Sequence, residues 1–134
     1  MMRLLIDTDV LLDVALGREP HLMDAVGVLD WAAAHPGRCA VAWHSLANLH
    51  YLTKTGAEEF IGDLLEFMEV PSTGTHEMRQ ALGLGFSDLE DAMQVSAALL
   101  FDAQVLVTRN VKPYRKSPIK VMTPGEILPL IIPR

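Results

Sequence analysis

Residues 4–9 read LLIDTD: Leu4, Leu5 and Ile6 run straight into Asp7 and Asp9 with no turn residue between. A short unbroken apolar run is what a strand needs when both of its faces are covered, as in a parallel sheet packed between helices. The rest of the chain fits that pattern. A helix is expected over residues 21–34, stopped by Pro36 and Gly37, followed by a strand in CAVAW (39–43). SLANLHYLTKTG (45–56) reads as a helix closed by Gly56. AEEFIGDLLEFM (57–68) reads as an amphipathic helix with Phe60, Leu64, Phe67 and Met68 on one face. EVPS (69–72) is a candidate short strand, and a helix is expected over 75–82. Another starts near Ser87, and QVLVT (104–108) and IKVMT (119–123) are strands. In TPGEIL, Thr123 caps a helix, Pro124 suits its first position and Glu126 completes a capping box. Strands alternating with helices imply an α/β fold with a central parallel sheet covered on both faces.

With 134 residues, half of them hydrophobic, the chain is expected to form one domain, 1–134, with a core of its own. Cys39 is the only cysteine, so no disulfide can close within the chain and no cysteine-based zinc site can assemble; a reducing cytosol is the expected setting. MMRLLIDTD meets an acid after three apolar residues, too soon for a signal peptide, and no run approaches the roughly 18 residues of a membrane span. The net charge of -6 argues against bulk attraction to nucleic acid. Yet Arg109, Lys112, Arg115, Lys116 and Lys120, five of eleven cationic residues, fall within twelve positions that hold no acid. Taken alone, such a run is a solvated loop.

A second acidic stretch, FSDLEDAMQ (86–94), precedes a segment, 92–101, that is apolar at eight of ten positions. Ser87 and Glu90 match a capping box, and acids in a first turn favour the helix dipole. Asp88 could serve the same end. Asp91 differs, because it shares a helix face with Val95, Ala98 and Leu99 and so projects toward the sheet. Asp7 meets the same difficulty from the strand side, unless it caps the next helix. If Asp7, Asp88 and Asp91 converge, their repulsion must be relieved by a proton or a cation. Hard carboxylate oxygens suit Mg²⁺ or Mn²⁺. Ligands of parallel α/β sheets bind at the carboxyl ends of the strands, where Asp7, Asp9, Arg109 and Asn110 all fall. Acids holding an ion beside a cationic run would suit a polyanion, with Arg109, Lys112, Arg115 and Lys116 on backbone phosphates.

Other chemistry finds less support. His44 and His50 are six apart and face different ways, and three-ligand zinc spacings are missing. Met68, Met78 and Met93 read as packing residues. No phosphate-binding glycine loop, dinucleotide fingerprint or serine nucleophile elbow occurs.

Taken in order, LLIDTDVLLDVALGREP, FSDLEDAMQVSAAL, VLVTRNVKPY and SPIKVMTPGEIL resemble a PIN domain, nearest to the VapC-like ribonucleases of bacterial toxin–antitoxin pairs. The resemblance runs nearly end to end. It implies a Rossmann-like three-layer α/β/α sandwich, often dimeric, that cuts RNA with Mg²⁺ or Mn²⁺ held by clustered acids. Asp7 matches the first acid of the family and Asp91 the acid opening the central helix, with Asp88 one turn earlier. The resemblance also implies a cognate antitoxin protein, inserting a segment into the acidic cleft. Asn48 stands where the family usually has Glu, Asn110 where an acid often follows the fourth strand, and Asp9 where Asn is common. The expected roles are therefore Asp7, Asp91 and Asp88 as metal-binding and catalytic acids, with Asp9, Asn48, Thr108 and Asn110 in support.

Two other readings compete. The D-x-D of LLIDTDVLL also resembles haloacid dehalogenase-like phosphatases, although the Gly-Thr that usually follows is missing. A PIN fold with two acids replaced by Asn could instead bind RNA or protein without cutting.

Overall fold

A computed structural model describes residues 2–132. Among these residues the chain forms five strands and seven helices. In order they are β1 (Leu4–Ile6), α1 (Thr8–Ala15), α2 (Leu22–Ala34), β2 (Cys39–Val41), α3 (Trp43–Thr53), α4 (Ala57–Leu64) and β3 (Met68–Glu69). Then come α5 (Thr75–Gly83), α6 (Leu89–Leu100), β4 (Val105–Val107), a 3-10 turn (Lys112–Tyr114), β5 (Lys120–Met122) and α7 (Pro124–Ile131). The strands form one sheet in the order β3-β2-β1-β4-β5, and every pairing is parallel.

LLI is the centre of that sheet. Leu4 pairs with Cys39 and Val105, and Ile6 with Val41 and Val107, and all three residues of β1 are fully buried. Alternation along the strand divides the core in two. Leu4 and Ile6 face a cluster built by α1, α2, α3, α4 and α7, with Val10, Leu11, Val28, Leu49 and Ile127 at its heart. Leu5 points the other way, with Ala40 and Leu106, onto Val95 and Ala98 of α6 and Phe101 at its C-terminal end. The result is the expected three-layer sandwich. Among the described residues no helix is long and apolar enough to cross a membrane.

Several boundaries differ from expectation, for physical reasons. The helix expected over 57–68 stops at Leu64, because Met68 leaves it to pair with Cys39 as part of β3. Met68 is buried as expected, but as a strand residue. Trp43 belongs to α3 rather than to β2, and its ring is exposed. α3 ends at Thr53, short of Gly56, where Lys54 takes φ 59. The capping box at Ser87 does not form. Asp88 is the cap of α6, its Oδ1 accepting the Glu90 N–H at 2.9 Å. The capping box of Thr123 and Glu126 is present as expected.

A buried ion pair ties α1 to the end of β4. Asp13, 1% exposed, accepts from Arg18 Nε at 2.8 Å and from Arg109 Nε and Nη2 at 2.7 and 3.1 Å. We therefore expect Arg109→Met to cost about 1–3 kcal/mol, the value of a charge-assisted hydrogen bond. Leu5→Ala should cost about 2–5 kcal/mol through the cavity it leaves. Urea unfolding checks both: midpoints should fall while the slope stays unchanged.

Candidate functional site

The parallel register sets the C-terminal ends of all strands along one edge, and the chain leaves β1, β4 and β5 there into Asp7, Thr108 and Thr123. Asp7 follows β1, and its N–H still donates to Val107 O at 2.9 Å, so it is held by the sheet it terminates. Its Oδ1 accepts from Thr8 N–H at 2.7 Å and caps α1. The capping role considered for Asp7 is therefore filled, and it leaves Oδ2 for other partners. In the first turn of α1, the Asp9 carboxylate accepts the backbone N–H of Arg109 at 3.2 Å.

Asp91 arrives from α6, and Tyr114 completes the meeting. The Tyr114 hydroxyl lies 2.8 Å from Asp7 Oδ2 and 3.1 Å from Asp91 Oδ1. The Thr108 hydroxyl lies 2.8 Å from the same Asp7 oxygen and 3.1 Å from Asp9 Oδ2. A hydroxyl carries one proton. Four close oxygen–oxygen contacts are thus served by two hydroxyl protons, and the rest calls for a carboxyl proton or a cation. Burial and then the neighbouring Asp9 push the Asp7 carboxyl from 3.8 up to about 6. Burial and then Asp88 raise Asp91, and burial raises Asp9. Tyr114, raised by burial and by both carboxylates, stays a protonated donor.

These groups open into a cleft of about 450 Å³. Asp7, Asp9, Asp88, Glu90 and Asp91 line it, and among the described residues no lysine or arginine does. Asn48 and Asn110 are also on its wall. Asn48 Nδ2 donates to Glu90 Oε1 at 3.3 Å, and Asn110 N–H donates to Thr108 Oγ1 at 3.3 Å. Asp88 stands at the rim with one oxygen committed to its cap. Among the described residues, no three His, Cys, Asp or Glu side chains form a group able to hold a metal ion. The donor set nevertheless suits Mg²⁺ or Mn²⁺, since such ions are held by one or two carboxylates with waters and substrate phosphates filling the other positions. Asp7 and Asp91, facing each other across one hydroxyl, are such a pair.

The basic segment behaves differently from expectation. Arg109 turns away from the cleft and forks onto Asp13, so its assignment to substrate phosphate gives way to a structural role. Lys112, Arg115 and Lys116 are exposed on the segment that delivers Tyr114, outside the lining of the cleft. Lys116 Nζ donates to Gly85 O at 3.1 Å.

Behind the acids sits a polar set that the sequence reading passed over. Gln94, 2% exposed, donates to Ser45 Oγ at 2.6 Å and lies 3.3 Å from both Thr8 Oγ1 and His44 Nε2. Its Oε1 has no partner among the described residues. Burial lowers the His44 pKa and keeps the ring neutral. A glutamine three residues after Asp91, inside an otherwise apolar helix face, was the available signal. Tyr114 was hidden by its cationic neighbours.

The raised carboxyls have a consequence for stability. A folded pKa above the unfolded one means that the native state binds the proton more tightly, so stability is full below the unfolded value and is lost as pH rises through the folded one. In chelator, the Tm should therefore fall as pH climbs from about 3.8 to about 6. Asp7→Asn should flatten that slope and raise the Tm well above this window, as a differential-scanning pH series will show.

A protein-family model described as PIN domain matches residues 3–112. No curated protein shows a significant match. Among solved structures, a toxin–antitoxin complex from Klebsiella pneumoniae is 24% identical with a TM-score of 0.69, covering 90% of this chain and 96% of that one. VapBC2 from Rickettsia felis, bound to a promoter DNA fragment, is 17% identical with a TM-score of 0.67, covering 91% and 98%. DNA-bound VapBC from Salmonella typhimurium is 15% identical with a TM-score of 0.69, covering 92% and 99%. At these identities the likeness speaks to the fold, whereas the family match spans most of the sequence and displaces the phosphatase reading: the chain belongs to the PIN domain family.

Proposed function

We propose that this PIN domain is a divalent-metal-dependent endoribonuclease and the toxin of a toxin–antitoxin pair. The observation that carries the reading is the meeting of Asp7 and Asp91 across the Tyr114 hydroxyl, in a cleft lined, among the described residues, by five carboxylates and no lysine or arginine. Asp7 and Asp91 would hold Mg²⁺ or Mn²⁺, with Asp88 near by. When bound, the ion would supply charge for a phosphate oxygen and lower the pKa of an attacking water.

The chain's own residues do the positioning. Thr8 N–H, Thr108 and Tyr114 fix the Asp7 carboxylate from three sides, so both of its oxygens are oriented before any substrate arrives. Asn48 and Asn110 offer side-chain amides on the cleft wall, which can hydrogen-bond a phosphate or its waters without adding negative charge. Lys112, Arg115 and Lys116, exposed on the segment that carries Tyr114, would draw the flanking backbone toward a cleft that by itself repels it.

The toxin assignment draws on the solved complexes named above, each of a toxin with its antitoxin. An antitoxin segment presenting an arginine to this cleft would answer its unmet charge. Homodimer formation belongs to the same reading. The binding-only alternative has one observation in its favour: a third metal-binding side chain is not in place among the described residues.

Purified protein should cut single-stranded RNA with Mn²⁺ and stop on chelation. Asp7→Asn and Asp91→Asn should each reduce the rate at least about 100-fold, the scale on which loss of a charged group at a reacting centre is felt. A rate equal to the parent in either variant rejects the assignment, and retained RNA binding without any cleavage favours the binding-only module.

A further inference from the structure

A second cavity, of about 320 Å³, opens beside the acidic cleft, and His44 belongs to the walls of both. Its other walls are Ala42 after β2, residues Thr73 and Gly74 between β3 and α5, Thr75, Glu77 and Met78 of α5, and Met93, Ser96 and Ala97 of α6. It therefore lies above the C-terminal ends of β2 and β3, while the acids lie above β1 and β4. The strand order β3-β2-β1-β4 sets the two side by side along one edge. Under the nuclease reading, a strand with a phosphate among the acids would pass His44 to reach this cavity.

We propose that this cavity receives one unpaired nucleobase of the bound strand, and that Glu77 selects bases carrying an exocyclic amine. The inference rests on the nuclease reading for the path of the strand. The cavity itself argues for a base over a phosphate. Ala42, Met78, Met93 and Ala97 give it apolar, polarizable walls, the surface a base plane prefers, and the Glu77 carboxylate repels an anion. Its volume is near the lower end of the roughly 300–1,000 Å³ range of ligand pockets, enough for one nucleoside-sized group. Met78 and Met93 are then more than packing residues: Met78 is 38% exposed and both face the cavity.

Glu77 has its geometry fixed from two directions. Its Oε1 accepts the Gly74 N–H at 2.8 Å, and its backbone carbonyl accepts from Ser96 Oγ at 2.9 Å, pinning α5 to α6. Its Oε2 has no hydrogen-bond partner among the described residues and is an acceptor for an amine N–H. Adenine, cytosine and guanine carry such an amine; uracil does not. Burial keeps His44 neutral, so its ring offers a stacking face without a charge.

Glu77→Gln is the informative substitution. Glutamine keeps an oxygen for the Gly74 N–H, preserving the cap, but replaces Oε2 by an amide donor. The probes are guanosine, adenosine, cytidine and uridine added singly to protein with isotope-labelled methionine methyls. The amine-bearing nucleosides should move the Met78 and Met93 methyl resonances more than uridine does, and Glu77→Gln should abolish that difference. In short oligoribonucleotides differing at one base, the parent should cut next to an amine-bearing base about tenfold faster than next to uracil, the lower end of what one good base contact discriminates. Glu77→Gln should remove that preference, chiefly by slowing cleavage next to the amine-bearing bases. Methyl shifts without any RNA cleavage would uphold the cavity and sink the nuclease reading. Cleavage with equal rates for all four bases, or methyls unmoved by every nucleoside, would overturn the subsite and leave the nuclease reading standing.

Discussion

The proposed function depends on an excess of negative charge gathered at one edge of a parallel sheet. Asp7, Asp9 and Asp91 meet around the hydroxyls of Thr108 and Tyr114 with too few protons to satisfy every contact, and among the described residues no lysine or arginine lines the cleft. A fold selected only for stability would not gather carboxyls whose ionisation its own burial opposes. Strain of this kind marks sites built to take up something the polypeptide does not supply.

The fold makes the gathering possible because β1 is central. Its three buried residues pair with β2 on one side and β4 on the other, so the residues that follow β1 and β4 emerge as neighbours despite lying about a hundred positions apart in sequence. α6 packs across the face that Leu5 presents, and its first turn carries Asp91 to the same edge. The Asp13 pair with Arg18 and Arg109 then locks α1 to the end of β4 from beyond the cleft. The basic segment is divided in use. Arg109 stabilises, Tyr114 turns inward among the acids, and Lys112 and Arg115 stay exposed.

The sheet, the two helical layers and the convergence of Asp7 with Asp91 were legible in the sequence, since an apolar run ending in an acid leaves that acid few places to go. The capping of α6 was misread by one residue. Ser87 and Glu90 satisfy the pattern, yet Asp88 reaches the Glu90 amide, and spacing alone does not say which of two adjacent cap formers wins. Arg109 looked like a phosphate contact because its partner, Asp13, is distant in sequence and fully buried, a pairing that no local pattern announces. Tyr114 and Gln94 were overlooked for opposite reasons: one lies in a charged run that reads as solvated, the other in an apolar run that reads as core. Their roles depend on long-range packing.

The most direct test of the central claim is anomalous diffraction at the manganese edge from crystals grown with Mn²⁺. The account predicts a single strong density peak between the Asp7 and Asp91 carboxylates, beside the Tyr114 hydroxyl. Saturating Mn²⁺ with no peak there, or a peak bound only by surface acids elsewhere, would contradict it.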